Sequence, residues 1–551
     1  MKRAREWTVL ALLLAAAAVI LARSAYNASN LDVVPDSVEL ALGAEHFVAD
    51  GRFAIEIDGR TLPSRYPPWF SVAALAPAYL LLGPEPGNAI YPVTAFAVAG
   101  IALAYALGRR AAGTWGGASA ATALLALPVY RLWGRQIMSD VPAAAVMLAV
   151  CLVYVRGRAS SRETAAGHFL AGCLIAIGAL FRPVCAAALL PFLLCAFSPP
   201  GAAKRLLLLL GPLGAAAAMT LAYNGATFGS VARSGYPFWC PVPYDYPSLT
   251  FSTAYVRTNL TALWYAGLPL LIAGVASALV IDRRLRAAPP ASVDAGVATV
   301  RSLVEFLVLA TGPIVLFHLL YFFPHPRFYL PSVAVAAVLL GSVAGGWLSR
   351  LRGWTLPAIL ALGLLAVSAW RAGTSDQPPY RRMVADRIRQ LVPERAIVVS
   401  AIEPAYLGYF LGASGGRRAM PISRRVEYAD KLIARHRIPD PSPPPRRWND
   451  HRCPGLLAGG AEEAVRAVAS ERLGDLEAAI TAGVPVFLDT SFTTRADQEL
   501  LDTIRRRFDV VQRAGMLYEL RPRTGTPFRR APRGVGSGAD RLSGGDPPVP
   551  G

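Results

Sequence analysis

Three stretches of the chain place ionisable side chains against apolar runs. VVPDSVELALGAEHFVADG (33–51), with Asp32 just before it, sets Asp36, Glu39, Glu45 and Asp50 behind the first hydrophobic segment. IMSDVPAAAVMLAV (137–150) puts Asp140 at the mouth of another, and YFFPHPRFYLP (321–331) puts His325 and Arg327 in a very short break between two more. A fourth stretch, GRTLPSRYPPWF (59–70), carries Arg65 and Tyr66 ahead of two prolines that stiffen the chain. Carboxylates of this kind accept protons, and planar guanidiniums suit phosphate. Gathered at one face, they would serve transfer of a group from an anionic lipid.

Each feature also has a plain structural reading. Asp36 with Glu39 three residues on has capping-box spacing, and Asp140 before Val141 and Pro142 can cap its helix. The aromatic residues around Arg327, Tyr329 among them, suit an interfacial belt in which an arginine snorkels. Ionisable groups at the mouths of spans nevertheless tend to mark sites. The candidate set is therefore the acids Asp36 and Asp140, with Glu39, Arg65, Tyr66, His325, Arg327 and Tyr329 as substrate-binding residues. Arg131, Arg135 and Arg182 add positive charge nearby.

The elements that must position these groups are membrane helices. Of 551 residues, 54% are hydrophobic and 17% charged, and the mean hydropathy is +0.40, values that fit a polytopic α-helical membrane protein. About 11 spans are expected, near 7–23, 88–108, 113–131, 141–156, 166–181, 183–199, 204–223, 263–281, 302–323, 328–348 and 354–370. The amino terminus resembles a signal peptide, but the spans that follow favour an uncleaved first helix.

Every second break is basic, so the net charge of +19 reads as a positive-inside pattern and not as nucleic-acid binding. From a cytoplasmic amino terminus in the inner (plasma) membrane, 24–87, 132–140, 224–262, 324–327 and everything after 371 emerge on the opposite face. The segment 69–83 is expected to be an interfacial or re-entrant helix.

Residues 1–370 thus form a transmembrane unit whose first outer loop is 24–87. Beyond it, strands at 396–402 and 484–489 alternate with helical patterns at 462–483 and 497–508, which predicts an extracytoplasmic α/β domain over 371–525. The Pro-rich 438–448 is expected to be a loop and 526–551 a disordered tail. Cys151, Cys173, Cys185 and Cys195 fall in apolar runs, while Cys240 and Cys453 leave one disulfide open. There is no Walker loop, His/Cys metal spacing or Gly-x-Ser-x-Gly elbow. A lipid or solute transporter is the alternative class, against which the charges gather at one face and not at mid-bilayer.

Over residues 1 to about 370 the chain resembles the GT-C superfamily of integral membrane glycosyltransferases, the clan of protein O-mannosyltransferases and lipid A aminoarabinose transferases. The resemblance rests on PDSVELALGAEHFVADGRF, YPPWF, SDVPAA, YNGATFGSVARSGYPF and HPRFYLP, in that order and on one side. It implies that the first-loop acid, Asp36, is catalytic and that Asp140 is the second acidic position. Relatives carry Asp-Glu where Ser37 follows Asp36 here, and some carry a lysine before the paired prolines where this chain has Tyr66. The implied donor is a polyprenyl-phosphate sugar, and the acceptor a hydroxyl of a glycolipid, polysaccharide or protein. The resemblance requires no ATP and fixes no cofactor; a divalent cation is one the two acids could bind, if Asp140 does not instead orient the acceptor or hold an arginine.

Overall fold

A computed structural model of the chain describes residues 2–30, 33–57, 60–83, 85–159, 165–197, 201–239, 244, 247–274, 276–277, 295–349, 380–400, 404–411, 417–421, 473–491, 493 and 498–523. The expected span at 354–370, Cys240, Cys453, the 438–448 loop and the 526–551 tail lie outside the described residues.

Backbone polar groups in lipid must be satisfied within the segment, and long apolar runs do so as helices. Among the described residues, Gly87–Ala126, Asp140–Arg158, Ala202–Phe228, Ala295–Leu320 and Pro326–Leu348 are long and apolar enough to cross a membrane. Shorter apolar helices run over Trp7–Ala22, Ser71–Leu82, Ala165–Phe181 and Pro183–Ala196.

The 40-residue stretch would measure about 60 Å if straight, twice a bilayer core. It is instead a helical hairpin. Ala112 and Gly113 leave the helical conformation, and Gly113 takes φ 65°, a region glycine enters without strain. A Cβ on Gly108 would stand 2.3 Å from the Gly116 carbonyl oxygen, so the two limbs lie backbone to backbone. The break expected at 109–112, between the spans 88–108 and 113–131, is therefore present, at Ala112 and Gly113. The helix Leu330–Leu348 packs along this hairpin, with Gly341 against Ala120 and Gly345 against Gly116, the close approach that small residues permit between membrane helices. Gly267, at φ 134°, ends the helix Val256–Ala266 inside the span expected at 263–281.

After the first helix, Lys2–Asn30, the chain forms the helix Pro35–Asp50 and an antiparallel hairpin, β1 (Ala54–Ile57) with β2 (Arg60–Pro63), in which Ala54 faces Pro63. The ring of Phe53 lies where a side chain on Gly43 would go, and this contact fixes the hairpin against the helix. The chain therefore returns at Ser64 to the beginning of Pro35–Asp50. The segment expected to be interfacial is a π-turn, Ser71–Leu75, running into the helix Ala76–Leu82, with Leu80, Leu81 and Leu82 exposed.

Among the described residues beyond 380, β3 (Ile397–Ser400), β4 (Arg418–Pro421), β5 (Val486–Asp489), β6 (Phe508–Ala514) and β7 (Leu517–Pro522) form a five-stranded sheet of order β4-β3-β5-β7-β6. β3 lies parallel to β4 and β5. β7 is antiparallel to β5 and to β6. β3 and β5 are buried along their lengths, as the central strands of a covered parallel sheet are. The helix Pro404–Leu411 packs on Pro35–Asp50, so this part of the chain rests on the first loop.

Candidate active site

Asp36 stands in the first turn of Pro35–Asp50, with Pro35 opening the helix and Val34 at its N-cap. The capping-box reading fails here, because neither acid turns back to the helix end. Arg65 Nη2 donates to Asp36 Oδ1 at 2.8 Å and Arg327 Nη2 to Asp36 Oδ2 at 2.6 Å. These partners come from 29 and 291 residues away in the chain. Burial pushes the Asp36 pKa up, but the Arg65 and Arg327 guanidiniums outweigh it and a hydrogen bond from the Tyr66 hydroxyl helps, holding the carboxyl well below the usual carboxylate range. The helix amino terminus favours the same charge. Asp36 is therefore held ionised in the resting site.

Glu39 lies one turn along, fully buried. It accepts from Ser64 Oγ and from the Arg65 backbone N–H, both at 2.9 Å, and its other oxygen stands 3.3 Å from Arg65 Nε. Glu39, expected to bind substrate, has no exposed surface here and holds Arg65 in place. Tyr66 packs its ring under the Arg65 guanidinium at 4.9 Å and edge-on to Tyr236 at 5.7 Å.

Arg327 sits in the 3₁₀ turn Pro326–Tyr329 that opens the Leu330–Leu348 helix. Its guanidinium lies over the Trp133 ring at 5.0 Å, and its Nε is buried with no partner among the described residues. His325 was expected to bind substrate. Its Nδ1 accepts the Arg327 N–H at 3.3 Å, and its ring meets Trp133 edge-on. Burial, with Arg327 next to it, pushes the His325 pKa down to about 4, so the ring is neutral and caps the turn. Tyr329 is not brought to the acids. It is fully buried and donates to the Asn259 carbonyl at 3.4 Å.

Asp140 opens the helix Asp140–Ala159 and is fully buried. Arg182 Nη2 donates to its Oδ1, while Asp140 Oδ2 and Arg182 Nε have no partner among the described residues. Arg182 precedes Pro183 and has the extended backbone that a following proline imposes. The Phe328 ring joins the two centres, with the Arg182 guanidinium at 5.3 Å and that of Arg327 at 5.4 Å. Arg182 is thus a member of the site that sequence reasoning treated as general positive charge. Tyr236, Tyr244 and Tyr321 were missed: Tyr236 stacks obliquely on Tyr244, whose hydroxyl lies 3.3 Å from that of Tyr321. Gly235 holds this wall against the first loop, since a Cβ there would stand 2.5 Å from the Arg65 carbonyl oxygen.

Three carboxylates, Asp36, Glu39 and Asp140, therefore face three guanidiniums, Arg65, Arg182 and Arg327. Among the described residues no group of three His, Cys, Asp or Glu side chains comes together, and both candidate acids are already engaged by arginine. The donor set does not fit a divalent cation. It does fit an anion, because buried guanidinium N–H groups remain to bind one.

The family of dolichyl-phosphate-mannose-protein mannosyltransferases matches residues 68–224, a stretch that holds Asp140 and Arg182 and begins after Asp36 and Arg65. No curated protein matches the chain. The crystal structure of ArnT from Cupriavidus metallidurans in the apo state is similar at a TM-score of 0.56 and 14% identity, over 94% of this chain and 98% of that one. The same protein bound to undecaprenyl phosphate is similar at 0.56 and 14%, over 93% and 97%. The oligosaccharyltransferase AglB from Archaeoglobus fulgidus, in complex with an inhibitory peptide and a dolichol-phosphate, has a TM-score of 0.47 at 12% identity, over 96% of this chain and 75% of that one. The chain shares the fold of ArnT, and the resemblance to the GT-C superfamily read from its motifs is upheld.

Proposed function

From a GT-C fold with this charge arrangement, we propose that the chain is a membrane glycosyltransferase. It moves a sugar from a polyprenyl-phosphate donor to an acceptor hydroxyl at the extracytoplasmic face, with inversion. The observation that carries the reading is the Asp36 carboxylate held between Arg65 and Arg327.

The acceptor oxygen attacks the anomeric carbon as the bond from that carbon to the lipid phosphate oxygen breaks. The hydroxyl becomes acidic as it bonds to an oxocarbenium-like centre, so its proton passes late to Asp36, and a carboxylate of low basicity suffices. The departing phosphate gains negative charge, which Arg327 and Arg65 stabilise more strongly than the ground state. Both arginines are bonded to Asp36 beforehand. A phosphate that draws their N–H groups away loosens the clamp on the base, so donor binding readies Asp36 for the acceptor. Asp140 orients Arg182 as a further donor facing the same ring, Phe328. In support of the donor class, one structure with this fold has undecaprenyl phosphate bound.

The test is radiolabelled sugar transfer from polyprenyl-phosphate donors in reconstituted membranes, comparing wild type with Asp36→Asn. Transfer by wild type and its loss in a folded variant are expected. Normal transfer by the variant overturns the base assignment; no transfer from any lipid-linked donor overturns the class.

A further inference from the structure

A second polar cluster lies along the helix that Asp36 opens. Glu45, in the later half of Pro35–Asp50, is half-buried, and its Oε2 is buried with no partner among the described residues. It interacts electrostatically with Glu85, which is exposed. The Tyr79 hydroxyl interacts in the same way with both Glu45 and Tyr409. Tyr409 comes from the helix Pro404–Leu411 that packs on Pro35–Asp50. It is 3% exposed, and its hydroxyl also lacks a partner among the described residues. Nine residues of helix, about 14 Å, separate Glu45 from Asp36, and the proposed reaction makes no use of the cluster.

A buried polar atom without a partner is costly, so two in one cluster, one of them on a fully buried tyrosine, point to a ligand. Its chemistry follows from the groups that would meet it. Glu45, Glu85 and Tyr409 offer oxygen acceptors, and the two carboxylates repel each other until a cation joins them. A calcium-sized cation takes six to eight oxygens, and among the described residues no group of three His, Cys, Asp or Glu side chains comes together. A primary ammonium carries one positive charge and three N–H donors, one for each acceptor. Arg382, whose charge acts on Tyr409, is engaged by Asp386 at 3.6 Å.

The surroundings indicate where the ammonium comes from. Glu85 follows the helix Ala76–Leu82, whose last three leucines are exposed. It precedes Gly87–Ala126, a stretch long and apolar enough to cross a membrane. It therefore stands at the boundary between acyl chains and water, the level of lipid headgroups.

We propose that Glu45, Glu85 and Tyr409 bind the primary ammonium of an aminophospholipid headgroup, with the acyl chains beside Leu80, Leu81 and Leu82. The bound headgroup ties the helix Pro404–Leu411 to the first loop, whatever sugar the site at Asp36 transfers.

The experiment uses the full chain at pH 8 in nanodiscs of phosphatidylcholine, whose quaternary ammonium has no N–H, with and without phosphatidylethanolamine of the same acyl chains. Burial, with Glu85 nearby, raises the Glu45 pKa to about 7, so this carboxylate is ionised at pH 8. Phosphatidylethanolamine should raise the melting temperature of wild type and leave that of Glu45→Gln unchanged. Native mass spectrometry of protein purified in detergent with both lipids should show phosphatidylethanolamine retained about tenfold over phosphatidylcholine, the scale of a hydrogen bond to a charged group. Glu45→Gln should abolish that preference, while Glu85→Gln and Tyr409→Phe should each reduce it about threefold. Glu45→Gln and Tyr409→Phe keep the side-chain shape and add no charge, so the fold is retained for both readouts. Equal retention of the two lipids, or a preference unchanged in Glu45→Gln, overturns the proposal. Loss of the preference in millimolar ethanolamine would show a soluble-amine site, and its loss in millimolar calcium a metal site; either overturns the proposal equally.

Discussion

Asp36 and Asp140 are both paired with arginine, but their surroundings differ in two respects. The Asp36 side chain keeps 20% of its surface exposed and is held by two guanidiniums, whereas Asp140 is fully buried with one. In the proposed reaction the acceptor hydroxyl therefore meets the first and not the second. Asp140 Oδ2, buried with no partner among the described residues, has a cost that a purely structural ion pair would not retain. Its remaining role is to set the Arg182 guanidinium. In the proposed reaction the pairs divide the work: one meets the reacting atoms and the other positions a donor.

The largest expected effect tests that division directly. Asp36→Asn should lower the transfer rate by about 10²–10⁴-fold, the range for loss of a general base, with donor affinity kept. Arg327→Gln removes the group that meets the leaving phosphate and should cost about 10²–10³-fold, together with weaker donor binding measured by titration of labelled lipid. Asp140→Asn should act mainly through Arg182, so KM for the donor rises while the acid limb of the pH profile is unchanged. If Asp140→Asn abolished kcat as fully as Asp36→Asn, the contrast between the two acids would collapse.

Gly235→Ala probes the same loop by geometry alone. The added Cβ meets the Arg65 backbone at 2.5 to 2.7 Å, so Arg65 must shift. A stability loss of about 1–3 kcal/mol is expected for such overpacking, with a fall in transfer larger than that of Tyr66→Phe. Thermal unfolding and initial rates on the same preparation separate the two effects.

Much of this was legible in the sequence. Asp36, Arg65, Asp140 and Arg327 stood out because charges beside apolar runs are rare and costly, and Arg109 with Arg110 marked the reversal at Ala112–Gly113. The strands expected at 396–402 and 484–489 contain β3 and β5, since short β-branched runs between turns carry a local signal. Pairing did not carry one. A spacing of three residues suits a capping box and equally suits two acids gripping one arginine, and only the return of the chain at Ser64 and Arg65 decides between them. The Asp140–Arg182 pair joins the start of one helix to the extended break after another, and hydropathy cannot see the φ of Gly267 that ends a helix inside an apolar run. The neighbours of His325 and Glu39 were illegible for one reason: residue type states what a side chain can do, while burial and hydrogen bonding decide which partners it engages.

The smallest expected effect uses Glu45, on the same helix as Asp36, as an internal control. Burial, with Glu85 nearby, raises its pKa to about 7, and its Oε2 is buried without a partner among the described residues. A carboxyl whose folded value exceeds its unfolded value of about 4.3 binds its proton more tightly in the folded state. Its contribution is therefore fully present below about pH 4.3 and is lost as pH rises through about 7. Asp36 has the opposite sign, since its folded value is depressed, and its contribution persists throughout the range above about pH 4. Glu45→Gln should accordingly raise the melting temperature at pH 8 and have little effect at pH 4.5, while Asp36→Asn should change it by the same amount at both. A pH-dependent Asp36→Asn difference across that interval would mean that the two arginines do not hold Asp36 ionised, and the contrast between the carboxylates would have to be redrawn.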